Sequence, residues 1–337
     1  MPEGSADPTR IGNYEVVREM GRTATSFLYE AVEPTQRRPV TVAATVDPVA
    51  KDEARVREFW DEAMKLAELR HPNVARVLDR GRHGDQLFLV EERLTLTPLD
   101  QLMRRRRLSI AESLTVFKAL RDALQAAHER GIIHHDITPG QVLVSEDLAT
   151  VKLRGFGMRH TTQHRGDGAT VATTRTVFSG LSYMSPEQAK NLGNASARSN
   201  VYSVGVIFYE LLTGRVPRGR VMLPSQLNSE VPSQLDPLVL KCVASRPEER
   251  YADIGELKRR FAAVEDQLRL GLLHELQGLQ RSTAKAFRRH DEAPDVSTAI
   301  DVQRPDIEKK PPNKTLLVAI IVGALLIAAV VALLLLR

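Results

Sequence analysis

Residues 131–157 read GIIHHDITPGQVLVSEDLATVKLRGFG. Two short apolar runs, 141–144 and 149–153, flank a polar turn at 145–148, the pattern of two paired strands. A loop carrying His134, His135 and Asp136 precedes them, and the turn Gly155-Phe156-Gly157 follows.

Upstream, residues 14–18, 26–32 and 40–46 alternate or run apolar with β-branched side chains and are expected as strands. Residues 52–69 carry Val56, Phe59, Trp60, Ala63, Leu66 and Leu69 at helical spacing. Two further strands are expected at 74–79 and 86–91. Helices follow at 99–104 and 109–130, the second with Ser109 as its cap and Ile110, Leu114, Phe117, Leu120, Leu124 and Ala127 along one stripe. Downstream of the quoted stretch, helices are expected at 200–213, 235–244 and 252–263. The last either extends to 279, on Leu268, Leu270, Leu272, Leu273, Leu276 and Leu279, or pairs there with another chain.

The chain has 337 residues, room for one large or two ordinary domains, and its 42% hydrophobic and 26% charged content is that of a globular protein. A formal charge of only +5 gives no reason to expect nucleic acid as a partner. The basic run at 104–107 reads as a solvated loop before a helix. One cysteine, Cys242, excludes an intrachain disulfide and reads as a small core residue, which suits a reducing compartment. Residues 1–10 lack the apolar core of a signal peptide. By contrast, residues 315–336 form an uncharged apolar run long enough to span a bilayer at ~1.5 Å per residue. Arg304, Lys309, Lys310 and Lys314 precede it and only Arg337 follows, which places the larger part of the chain in the cytoplasm. The expected organisation is therefore a disordered terminus at 1–12, a β-rich lobe at 13–93, a helical lobe at 94–265, an extension and flexible linker at 266–314, and a membrane helix at 315–336.

This order of parts resembles the two-lobed α+β fold of the eukaryotic-type (Hanks-type) protein kinases, with bacterial membrane-bound Ser/Thr kinases as the nearest in kind. The resemblance covers residues 14–264. It rests on His134-His135-Asp136-Ile137-Thr138-Pro139-Gly140-Gln141 against the family's H-R-D-x-K-x-x-x-N, and on Gly155-Phe156-Gly157 against D-F-G. It rests also on Tyr183-Met184-Ser185-Pro186-Glu187 against A-P-E, on Glu210-Leu211-Leu212-Thr213-Gly214, and on Arg246-Pro247-Glu248-Glu249-Arg250-Tyr251. The resemblance implies an ion pair between Glu187 and Arg250. It also implies a hydrophobic spine through Leu66, His134 and Phe156, and a nucleotide sandwiched between Leu28 and Leu143.

Phosphoryl transfer in that family needs a phosphate cradle, a cation on the phosphates, metal ligands and a carboxylate beside the acceptor hydroxyl. The cradle G-x-G-x-x-G aligns with Gly21-Arg22-Thr23-Ala24-Thr25-Ser26, which keeps only Gly21 and reads as a plain hairpin. The lysine of V-A-x-K falls on Ala43, or on Thr45 if the register slips, and Thr41 takes the small residue over adenine. Glu62 matches the lysine's usual glutamate partner. Arg22 is the alternative cation. The metal-binding Asp is Gly155 and the Asn is Gln141, so no metal is expected, because magnesium favours one or two carboxylates in octahedral geometry. Nor is one expected at His134-His135-Asp136, since adjacent residues point in different directions. Asp136 keeps the position of the base, while Thr138 replaces a lysine, His135 an arginine and Asn200 a buried aspartate. Glu91 aligns with the gatekeeper, a costly place for a carboxylate unless it is paired or protonated; a one-residue shift would turn it outward.

Gly21, Leu28, Glu62, Gln141 and Leu143 would thus line a nucleotide cleft that is weak or lost, and Asp136 would be vestigial. The expected function is a membrane-anchored pseudokinase that acts as a scaffold or regulator through another protein, with no cofactor. The alternative is a divergent Ser/Thr kinase in which Asp136 is the base and ATP with magnesium is still used. In that case the Thr/Ser-rich segment 161–182 would be open to self-modification.

Overall fold

A computed structural model describes residues 9–23, 25–46, 49–158 and 180–266. All of them fall within the first of two units, Met1–Glu275; the second, Leu276–Arg337, lies outside the described residues. The expected extension, linker and membrane helix therefore lie outside them as well. Among the described residues no helix is long and apolar enough to cross a membrane.

The first lobe is an antiparallel sheet of β1 (Arg10–Ile11), β2 (Tyr14–Arg22), β3 (Ser26–Glu33), β4 (Arg38–Thr45), β5 (Val77–His83) and β6 (Gln86–Glu92), ordered β1-β2-β3-β4-β6-β5. Strand alternation divides its side chains. Val40, Val42, Ala44, Phe88 and Val90 form a small outer core with Ile11 and Tyr14. Ala43, Leu87 and Leu89 belong to the main core, which continues into the second lobe. Helix α1 (Glu53–Glu68) covers that inner face with Phe59, Ala63 and Leu66, and Asp52 caps it by accepting from the N–H groups of Ala54 and Arg55.

The second lobe is helical. Helix α2 (Leu99–Arg105) leads to α3 (Ile110–His128), whose first turn is closed by a capping box between Ser109 and Glu112. A small sheet joins β7 (Thr97–Pro98), β8 (Val142–Val144) and β9 (Val151–Leu153). Next come α4 (Pro186–Lys190), α5 (Ala197–Thr213), α6 (Pro224–Leu227), α7 (Asp236–Cys242) and α8 (254–266). Helix α5 is apolar nearly all round and is buried accordingly, with Phe208 stacked on Phe117 of α3 at 4.0 Å between centroids. Cys242 is buried against this helix.

Three differences from the expected elements have local causes. Residues 10 and 11, assigned to a disordered terminus, pair with β2 because Ile11 buries its side chain in the outer core. The strand expected at 74–79 starts later, since Asn73–Ala75 is diverted onto β9. There Asn73 Nδ2 donates to the Val151 carbonyl at 2.8 Å, and the Leu153 N–H donates to the Asn73 carbonyl at 2.8 Å. Gln141, expected at the start of a strand, ends the short helical turn Pro139–Gln141 and leaves β8 to begin at Val142. The run 104–107, expected as a loop, is helical in its first half, Arg104 and Arg105 ending α2, and its side chains reach Asp100, Glu112 and the Thr213 carbonyl.

Candidate functional site

The loop ahead of β8 is built on α5. The Asn200 side chain accepts from the His134 N–H at 3.1 Å and donates to the His134 carbonyl at 2.6 Å. The buried His134 ring then joins two strands of chain. Its Nε2 lies 2.9 Å from the Arg154 carbonyl, and its Nδ1 accepts the Asp136 N–H at 3.2 Å. One ring nitrogen must carry hydrogen for the first bond and the other must be bare for the second, so the neutral tautomer is fixed by its partners. Burial pushes the His134 pKa down to about 4, which keeps it in that form. The ring meets Phe156 edge-on at 4.5 Å, and Leu66 of α1 lies against Gly157. The three spine residues are thus brought together.

Asp136 lines a cleft of about 470 Å³ with Gly21, Arg22, Leu28, Thr138 and Gln141. Glu62 and Leu143 are buried outside that lining, Glu62 on the inner face of α1 and Leu143 on β8. The strand register decides where a cation would stand. Ala43 pairs with Leu28 on one side and Leu89 on the other, and Thr45 is two residues on, so both share the inner face. Neither carries charge. The hairpin tip between β2 and β3 is closed on itself: Thr23 Oγ1 accepts the N–H groups of Thr25 at 3.2 Å and Ser26 at 3.0 Å. Amides that could face a phosphate are spent inside the turn. Arg22 lines the cleft, with its guanidinium stacked on Phe27 at 4.8 Å.

The rear of the site holds a pairing that the sequence reading missed. Glu91 shares the inner face with Leu87 and Leu89 and is 3% exposed. Its carboxylate accepts the Gly155 N–H at 3.0 Å and meets Arg154 Nη2 at 3.1 Å. The signal was the arginine in Val151-Lys152-Leu153-Arg154, a charge in a short apolar strand just before the glycine turn.

Gly155 has φ +82°, and a Cβ placed on it would stand 2.9 Å from Gln141 Nε2 and 3.0 Å from Oε1. The amide therefore fills the volume that a side chain at 155 would need. Gln141 is 3% exposed, and its Nε2 points toward Asp136 Oδ2 across 3.5 Å. One amide and no carboxylate at 155 do not fit magnesium, and among the described residues no three His, Cys, Asp or Glu cluster to hold a metal.

Away from the cleft, Arg250 makes a bidentate pair with Glu187, 2.7 and 2.8 Å, as the resemblance implied. Comparison with known proteins agrees with these contacts: the protein kinase domain profile matches residues 14–259. The chain belongs to the protein kinase family. Among curated members, a probable serine/threonine-protein kinase PknB from Lactococcus lactis is 31% identical over 260 residues, covering 72% of this chain and 40% of that protein. Serine/threonine-protein kinase PknL from Mycobacterium tuberculosis is 31% identical over 286 residues, 79% of this chain and 70% of that protein. Several of these kinases are much longer, so this chain spans about two fifths of their length. The crystal structure of the PknI kinase domain from Mycobacterium tuberculosis superposes with a TM-score of 0.59 at 23% identity, over 78% of this chain and all of that one, which shows the shared two-lobed fold. Against the family's pattern, this kinase-family chain keeps its spine and its Glu187–Arg250 pair, and Gln141 occupies the space a side chain at 155 would need.

Proposed function

We propose that this chain is a pseudokinase: a kinase fold that signals by binding another protein, without transferring phosphate. The observation that carries this reading is the Gln141 amide seated over Gly155, where the fold otherwise places a metal-binding carboxylate. Ala43 on the inner face and the self-closed hairpin at Thr23 support it, because catalysis in this fold is mostly electrostatic positioning of phosphates. The same reading tethers the fold to the cytoplasmic face of a membrane through residues 315–336.

The deciding experiment is a thermal melt of the full chain in detergent with and without magnesium and ATP. No shift is expected. A rise of several degrees, abolished by Leu28→Glu in the cleft lining, overturns the reading and favours the divergent kinase with Asp136 as base. Transfer of labelled phosphate that Asp136→Asn abolishes does the same. Fractionation of cells tests the tether: the full chain is expected with membranes, and a chain ending at 314 in the soluble fraction.

A further inference from the structure

Two successive glutamates end the last strand of the first lobe and reach across to the second, Glu92 to Lys152 of β9 and Glu91 to Arg154 just beyond it. Glu92 Oε1 meets Lys152 Nζ at 2.7 Å, at the edge of the hinge. Glu91 meets Arg154 one step further in, with side-chain exposures of 3% and 6%. Lys152 within β9 and Arg154 just past its end flank Leu153, which enters the core. Glu91 also takes the Gly155 N–H. The Gly155-Phe156-Gly157 turn is thus fastened to the first lobe by backbone and by charge.

We propose that this Glu91-Glu92 to Lys152–Arg154 clasp holds the lobes closed and the glycine turn inward in place of a bound nucleotide. The proposal rests on the pseudokinase reading. In an active kinase, nucleotide and metal bridge the lobes, and closure can follow their binding. Here the contacts across the cleft are made by the protein itself. The buried pair is poorly hydrated, so its attraction is little screened by solvent; Arg154 Nη2 meets Glu91 as an ion pair without hydrogen-bond geometry, and the same carboxylate takes the Gly155 N–H.

Hydrogen exchange on the full chain tests this. Without nucleotide, the Gly155 amide, which donates to Glu91, is expected to exchange at least about a hundredfold slower than unprotected backbone. Magnesium and ATP should leave that unchanged. Glu92→Lys should speed exchange across 153–157 by about tenfold through like-charge repulsion with Lys152, and Glu92→Lys with Lys152→Glu should restore at least half of the lost protection on a logarithmic scale. Glu91→Leu with Arg154→Met removes both buried charges and should release Gly155 in a chain that still melts cooperatively.

Unprotected exchange at Gly155 in the wild type overturns the clasp, as does a Glu92→Lys variant with unchanged protection or a charge swap that restores nothing. Protection that rises sharply on adding magnesium and ATP overturns the clasp as the agent of closure together with the pseudokinase reading. Failure of the charge swap without any nucleotide effect overturns the clasp alone.

Discussion

The Gln141 amide stands within 3.0 Å of the point where a Cβ on Gly155 would sit. The two positions have changed size in opposite directions relative to the family's pattern. A longer amide on the loop fills the space left by a glycine on the turn, and the interior stays packed.

Restoring the aspartate alone should therefore destabilise the protein. Gly155→Asp is expected to cost about 1–3 kcal/mol by overpacking and to give no magnesium-dependent shift in the melt. Adding Gln141→Asn, which shortens the amide by one methylene, should recover the part due to the clash but not the strain of a side chain at φ +82°. Chemical denaturation of the two variants and the wild type measures both steps. A single variant as stable as the wild type would show that the amide moves aside freely.

The hairpin tip offers a smaller test. Thr23 Oγ1 takes two backbone N–H groups, and Thr23→Ala leaves them to water. About 1 kcal/mol of stability should go, the usual worth of such bonds at a partly exposed turn. Thr23→Ser keeps the oxygen and should stay close to the wild type. A glycine at the same place should not create phosphate affinity, because the inner face of β4 still lacks a cation.

Much of this was legible in the sequence, and for a physical reason. Packing residues announce themselves by period: the α3 stripe, the buried α5 and the strands of the first lobe follow from which side chains must leave water. The spine and the Glu187–Arg250 pair follow from motifs whose residues lie far apart yet must meet. What stayed hidden were pairings set only by register. Glu91 reads as a costly buried acid until the β4–β6 pairing turns it inward and Arg154 arrives from β9. The closing of the hairpin by Thr23 and the filling of the Gly155 site by Gln141 are likewise side-chain directions, which no spacing in the chain reveals. Residues 10 and 11 were too short a run to carry a strand pattern.

Arg250 is expected to be the most sensitive position away from the cleft. It pairs with Glu187 and also donates to the carbonyls of Ala244, Ser245 and Arg198. Its side chain is fully buried. Arg250→Met should cost about 3–5 kcal/mol, since it strands a carboxylate and three carbonyls together. Glu187→Gln should cost less, because its amide oxygen can still accept from Arg250 and Ser199. Urea titration would order the two, and the reverse order would mean that the charge matters more than the hydrogen bonds.

The pH dependence should carry the mark of His134. Burial holds its folded pKa near 4, against 6.5 for an ordinary histidine, so between those limits the unfolded chain binds a proton that the folded chain refuses. Stability from this group is whole above pH 6.5 and falls as the pH is lowered, levelling off below about 4. The gap corresponds to about 3 kcal/mol. His128, whose pKa burial also lowers, adds a change of the same sign. Glu187, whose burial cost is outweighed by Arg250 and Ser199 so that it is held at about 2, contributes stability that is whole above about 4.5 and is lost as the pH falls from there towards 2. His134→Phe keeps a ring against Phe156 but leaves the Arg154 carbonyl and the Asp136 N–H without their partner, so the variant should be less stable at neutral pH. Its melting temperature should nonetheless fall less steeply between pH 6.5 and 4 than that of the wild type. Equal slopes would place the titration on His128 or another group instead.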